Sequence, residues 1–409
     1  MSSPHTPVDA RRVFYIPGYD PIHPRRYREL YRKESAAQAE VSGYEISLSA
    51  RQGGTTYGWR VEADIEGASV RAEVDVLIWS DIVRGSMSNS IPATYLQLVR
   101  TAWAYISTGA LFRLMRLRKG PVIAALYPVG FLLLQLTFAV FAGIAALRLS
   151  ALASGVIGEG AALGIGAALG LVVCVGILRW FKAKDSKFFA YYLMHDFAYS
   201  ARYGGANPPE LEARMDEMRA QIAAALAGDV DEVLVVGHSS GAHLAVSILA
   251  DLIRAGLPKG APRLSFLSLG QVVPMVSFLP QAARLRADLA YLSARDEITW
   301  VYVTAPGDGC AFALCDPVVV TGVAPEDKRW PLVISAAFTQ TLSPERWRAV
   351  RWRFFRLHFQ YLCAFDRPGD YDYFRITAGS QTLSERFEGR APSKSRLEKP
   401  VNRFRSMTP

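Results

Sequence analysis

Two stretches of this chain carry no charged residue at all, Pro121 to Leu147 and Gly160 to Leu178. Each meets the ~20 residues a helix needs to cross the hydrocarbon core of a bilayer. In lipid, backbone polar groups must be satisfied inside the segment or in a closed barrel, so both stretches are read as helices, with spans at about 122–147 and 160–178. The linker between them, Arg148 to Glu159 (RLSALASGVIGE), holds two glycines, two serines and the intervening charges, which suits a turn. The second stretch (GAALGIGAALGLVVCVG) places small residues four apart, a spacing that lets two helices approach closely, so the pair is expected to pack as a hairpin. A re-entrant insertion that does not reach the far side is the alternative.

The formal charge of +9 gathers around this block. Arg113, Arg116, Arg118 and Lys119 precede it, Arg179, Lys182, Lys184 and Lys187 follow it, and only Arg148 among the basic residues lies between the runs. By the bias of basic residues toward the cytoplasmic side, both flanks and the remainder of the chain are expected on the cytoplasmic face of a cell membrane. Membrane lipids are therefore the expected partners of the basic flanks, and nucleic acid is not, because no nucleic-acid motif accompanies the charge. The segment Met1 to Arg12 lacks the apolar core of a secretory signal. The four cysteines, Cys174, Cys310, Cys315 and Cys363, have no CxxC spacing, so neither a disulfide framework nor a metal site is expected.

On either side of the hairpin the pattern is that of an α/β protein. Short apolar runs at Arg12–Ile16, Tyr44–Ser49, Tyr57–Ile65 and Val74–Trp79 predict strands before it, with a helix over Pro24–Val41 and another over Ile91–Leu117. After it, helices over Ser186–Tyr203, Pro208–Ala227, Gly241–Ala255 and Gln281–Ser293 alternate with strands at Glu232–Val236, Leu264–Leu269 and Ile298–Thr304. Trp347–His358 reads as a helix start running into a strand near Phe354. Such alternation predicts a mainly parallel sheet with helices on both faces. The domain reading is an N-terminal part over 1–118, the hairpin over 119–181, a second part of the same α/β domain over 182–380, and a basic, disordered tail over 381–409.

The sharpest local signal is Gly237-His238-Ser239-Ser240-Gly241, set between the strand Glu232–Val236 and a helix. In a Gly-x-Ser-x-Gly turn the serine sits at a strained bend, and side chains two residues away on either side would strike the neighbouring strand and helix. Ser239 is thus the candidate nucleophile, and the N–H of Ser240 behind it is a candidate oxyanion donor. A second donor is expected from Gly18 or Tyr19, in the turn after the first strand. Of six histidines, position leaves His358 as the general base. The orienting acid should follow a strand between serine and histidine. Asp308, after Ile298–Thr304, is preferred, and Asp316 is the rival.

In these motifs the chain resembles the α/β-hydrolase superfamily, in particular its lipase-like and esterase-like members. Ser268-Leu269-Gly270 followed by Pro274 is similar to a turn in several lipases, whereas Pro17-Gly18 stands where those relatives carry His-Gly. The resemblance implies hydrolysis of an acyl ester through an acyl-enzyme, with no metal or organic cofactor. The substrate is expected to be an acyl ester or lipid. A thioesterase, acyltransferase or serine peptidase would use the same three residues, and an inactive, membrane-anchored interaction protein on the same scaffold is the alternative outside enzymes.

Overall fold

The strand Ala10–Ile16 (β1) is the pivot around which the chain builds its sheet. In the computed structural model, which describes residues 7–51, 56–88, 90–152 and 154–408, the later strands are β2 (Glu45–Ala50), β3 (Gly58–Ile65), β4 (Ala68–Val76), β5 (Glu232–His238), β6 (Arg263–Leu269), β7 (Ile298–Thr304) and β8 (Leu332–Ser335). Among the described residues they form one eight-stranded sheet in the order β2-β3-β4-β1-β5-β6-β7-β8. β2, β3 and β4 are an antiparallel meander, and every pairing from β4 through β1 to β8 is parallel.

The sequences explain this placement. β5 (EVLVVGH) is buried at every position, as a strand covered on both faces must be, while β3 (GWRVEADI) alternates buried and exposed residues and leaves one face wet. Leu234 and Val236 of β5 pack with Val13 and Tyr15 of β1 and with Tyr27 and Tyr31 of the helix Arg25–Ser42 on one face. Their neighbours Val233 and Val235 point the other way, where the helix Gly241–Arg254 lies against β1 and β5. Full burial of each such side chain contributes about 1.5–3 kcal/mol.

At the amino-terminal edge of the sheet a buried ion pair ties distant segments together. Arg11 Nε donates to Glu232 Oε2 at 2.6 Å, and both side chains are fully enclosed. Glu232 Oε1 also accepts from Ser265 Oγ and from the Leu383 N–H, while Arg11 donates to the carbonyls of Gly379 and Gln381. All the close donors are satisfied, which is the condition for a charge to be tolerated in an apolar interior.

The chain divides into two compact units, one of residues 1–84, 108–121 and 203–409, and another of 85–107 and 122–202. The second unit holds the helices Ile91–Ser107, Glu159–Ala183 and Ala190–Ala201, and nearly all of Lys119–Ala151. Lys119–Ala151 and Glu159–Ala183 are each long and apolar enough to cross a membrane, and both run past the spans expected from the sequence. They pack through small residues, as the four-residue spacing predicts. Ala162, Gly166 and Gly170 are buried in a row, and a Cβ added at Gly170 would lie 2.6 Å from the Gly143 carbonyl oxygen. The outward side chains are large and apolar, with Leu134, Phe138, Phe141, Leu171 and Val172 each more than half exposed, which is not the pattern of core helices in a water-soluble protein.

Five expectations are corrected. The helix foreseen over Ile91–Leu117 is two, Ile91–Ser107 and Ala110–Leu117, broken at Gly109, whose φ of 70° no α-helix accommodates. The strand foreseen near Phe354 is helical, Phe354–His358, after a separate helix Pro344–Val350. The helix foreseen over Ser186–Tyr203 is likewise two, Asp185–Phe188 and Ala190–Ala201, broken at Phe189 with φ of 56°, and β8 was not foreseen. Finally, the segment read as a disordered tail is docked: Thr382 caps a helical turn through a capping box with Glu385, Leu397 exchanges backbone hydrogen bonds with Leu314 and Asp316, and buried Asn402 donates to the Ser277 carbonyl.

Candidate active site

β1 and β5 lie side by side in parallel, with Ile16 paired to Gly237. From their carboxyl ends the chain leaves in opposite senses, from β1 toward the helix Arg25–Ser42 and from β5 into the helix Gly241–Arg254. Such a divergence between neighbouring strands is where open α/β sheets bind ligands.

Ser239 directly follows β5 with φ of +57°, a left-handed conformation that costs a non-glycine residue about 1–2 kcal/mol. The surroundings hold it there. Its N–H donates to the Leu269 carbonyl at 2.9 Å, and its own carbonyl accepts from Ala242 N–H at 3.2 Å. The flanking glycines are sterically required on the grounds expected: a Cβ at Gly241 would lie 2.1 Å from the Ile16 carbonyl oxygen on the neighbouring strand, and one at Gly237 would lie 2.8 Å from Cα of Ala242 in the helix. Ser240 follows as the N-cap of that helix and is buried.

The turn after β1 closes the other wall. A Cβ on Gly18 would meet Ser239 Cβ at 3.0 Å and Ser239 Oγ at 3.4 Å, so this backbone passes in direct contact with the serine. The loop is pinned by Trp79, whose indole N–H donates to the Pro17 carbonyl at 3.0 Å, and the Tyr19 ring packs edge-on against the same indole. Gly18 therefore lies beside Ser239, while the Tyr19 side chain turns to Trp79.

His358, at the end of the helix Phe354–His358, directs Nδ1 to Asp308 Oδ2 at 2.7 Å. Asp308 sits in the turn after β7 and is buried. Its Oδ2 also accepts from the Tyr361 hydroxyl at 3.0 Å and its Oδ1 from the Cys310 N–H at 2.9 Å. Burial acts to raise the Asp308 pKa, but the charge and hydrogen bond of His358, with the two further donors, outweigh it and hold the carboxyl below its usual range. Such a carboxylate fixes the imidazole tautomer and leaves Nε2 as the nitrogen that can take up a proton.

Asp316, the rival acid, has another task. Its Oδ1 accepts from Val318 and Val319 N–H at the start of the helix Pro317–Thr321, and its Oδ2 pairs with Lys328 at 2.8 Å. It is a helix cap.

His238 does more than fill the turn. Its Nε2 lies 3.0 Å from the His358 carbonyl, an acceptor only, so Nε2 carries the proton and Nδ1 accepts from the Tyr15 hydroxyl at 3.4 Å. Burial first, and then the charge of His358, push the His238 pKa down to about 3, so it is neutral at physiological pH. The residue next to Ser239 is thus bonded to the backbone of His358, with the two rings 4.8 Å apart. Gly270 adds a second link: it follows Leu269, the acceptor for Ser239 N–H, and a Cβ on it would lie 3.2 Å from Cε1 of His358 and 3.3 Å from Asp308 Oδ2.

Three features escaped the sequence reading: the Tyr361 hydroxyl on Asp308, the Tyr15–His238–His358 bridge, and the clustering of Cys310 with Asp308 and His358, whose ligand atoms all lie within 4.8 Å of one another. Tyr361 and Tyr15 belong to aromatic runs that read as core, and Cys310 has no motif spacing to mark it. Asp308 pairs with His358 and Gly18 lies against Ser239, with His238 and Gly270 linking the two pairs, whereas Asp316 caps another helix and the Tyr19 ring packs on Trp79. No protein-family model matches this chain, and neither a curated protein nor a solved structure matches it.

Proposed function

We propose that this protein is a membrane-anchored serine hydrolase of the α/β-hydrolase type, cleaving an acyl ester through Ser239, His358 and Asp308. The observation that carries the reading is the 2.7 Å pair of His358 Nδ1 and Asp308 Oδ2, linked through His238 and Gly270 to a serine in a strained strand-to-helix turn. In the reaction Ser239 Oγ attacks the ester carbonyl as His358 Nε2 takes its proton, and the imidazolium is stabilised by Asp308. Negative charge developing on the carbonyl oxygen would be met by the N–H of Ser240 and by a second N–H from Gly18 or Tyr19. His358 then returns the proton to the leaving alcohol. Water, activated by the same imidazole, releases the acid and restores the serine. No step calls on a metal or organic cofactor.

Thioester hydrolysis, acyl transfer and peptide cleavage share this first half-reaction. The preference for an ester in a lipid rests on the two apolar helices, whose exposed Leu, Phe and Val side chains suit a bilayer and would hold the protein where acyl lipids are concentrated. Sidedness follows from the basic flanks, and cytoplasmic placement is part of the proposal.

Membranes from cells expressing wild type and Ser239→Ala, given p-nitrophenyl esters, phospholipids and acyl-CoA, test the reading. Ester cleavage that requires Ser239 is the expected result, preference for acyl-CoA would shift the assignment to a thioesterase, and no serine-dependent turnover on the panel would contradict it. A reporter fused after Pro409 should behave as cytoplasmic.

A further inference from the structure

The geometry points to an inhibitory zinc-binding site formed by Asp308, Cys310 and His358. One carboxylate oxygen, the Cys310 thiol and one imidazole nitrogen, each a zinc ligand, lie within 4.8 Å of one another. Metal–ligand distances of about 2.0–2.3 Å require donors somewhat closer than that, which small side-chain rotations supply. Cys310 is in no disulfide and only half buried, so its sulfur is open to a cation from solvent, while Asp308 and His358 are buried.

The donor set chooses the ion. One thiolate and one imidazole favour zinc and its mimics cobalt(II) and cadmium over magnesium or calcium, which prefer oxygen alone. Three protein ligands leave a fourth position for water, the arrangement of an open site rather than a closed structural one. Binding displaces the thiol proton, so affinity rises with pH, and where Nδ1 is the ligand its proton moves to Nε2 without net release. The turn Asp308-Gly309-Cys310 sets the thiol and the carboxylate two residues apart, within reach of the imidazole. Tyr361 and the Cys310 N–H already donate to the carboxylate.

The consequence for the reaction rests on the proposed role of His358; the binding does not. A cation held here occupies the imidazole and carboxylate that would move the Ser239 proton, so metal binding and acylation exclude one another.

Cobalt(II) titrated into the purified full-length protein in detergent tests the site without any substrate. A thiolate-to-cobalt charge-transfer band saturating at one equivalent is expected, lost in Cys310→Ser, weakened in His358→Ala and kept in Cys315→Ser. No band in wild type, or an undiminished band in Cys310→Ser, overturns the proposal. In a second arm, zinc should suppress ester cleavage at least tenfold and a chelator should restore it, whereas the turnover of Cys310→Ser should be the same with and without zinc. Zinc-insensitive turnover in wild type overturns the inhibitory role. A cobalt band in a protein with no serine-dependent turnover would keep the metal site and remove the hydrolase reading, so the two failures are distinguishable.

Discussion

Asp308 and Asp316 are equally buried and close in sequence, yet their partners assign them different work. Asp308 accepts from an imidazole, a phenol and one backbone N–H, and Asp316 from two helix-terminal N–H groups and a lysine. Asp308→Asn should lower turnover by about 10⁴ with little change in substrate affinity, because the amide favours the wrong imidazole tautomer. Asp316→Ala should leave turnover in place and cost about 1–2 kcal/mol of stability in a thermal melt, the loss of a cap. Equal activity loss in both would contradict this division. His238 yields a pH prediction. Its folded pKa, about 3, lies below the ordinary histidine value, so between these values the unfolded chain binds the extra proton. The stability is present above the ordinary value and is lost as pH falls toward 3, with a slope of at most about 1.4 kcal/mol per pH unit from this group. His243, pushed down to about 4 by burial, acts in the same direction. His238→Gln should flatten the acid limb of stability against pH, and an unchanged limb would count against the buried neutral ring. The strained turn at Ser239 and the pairing of His358 with Asp308 were legible in the sequence because chain order and strand–turn context point to them. Tyr361 was not, because its partner is set only by the folded path of the chain.

Among the elements, most strands and helices followed from periodicity, and the departures have local causes. Gly109 stops a helix whose hydrophobic pattern runs on, because pattern reports burial and not backbone conformation. β8 is only four residues, too short for alternation to register. The stretch before His358 is aromatic enough to suggest a strand but folds as two short helices, the first opened by a Ser343 cap and Pro344. In the hairpin, Gly143 and Gly170 touch backbone to backbone. Gly170→Leu should therefore drive the two helices apart and destabilise that unit by about 1–3 kcal/mol, read as a lower melting temperature in detergent. Gly164→Leu, where an added Cβ meets nothing within 4 Å, should have little effect. Equal losses would exclude close packing at Gly143 and Gly170.

For the whole molecule, the sheet joins strands from both sides of the inserted helices, and Arg11–Glu232 is the polar clasp across that join. It also holds the 379–383 backbone, so residues that a charge-rich sequence presents as a loose tail become part of the structure. Such docking rests on backbone hydrogen bonds without periodicity and was invisible in the sequence. Glu232→Gln should cost about 3–5 kcal/mol, since it strands a buried guanidinium, and a wild-type-like melt would show the clasp to be dispensable. Whether this fold presents Ser239 as an activated nucleophile is tested by treating membranes that contain the protein with a fluorophosphonate and mapping the adduct by mass spectrometry. One adduct is expected, on Ser239, with its formation falling sharply in His358→Ala. Absence of the adduct, or its appearance on another residue, would contradict it.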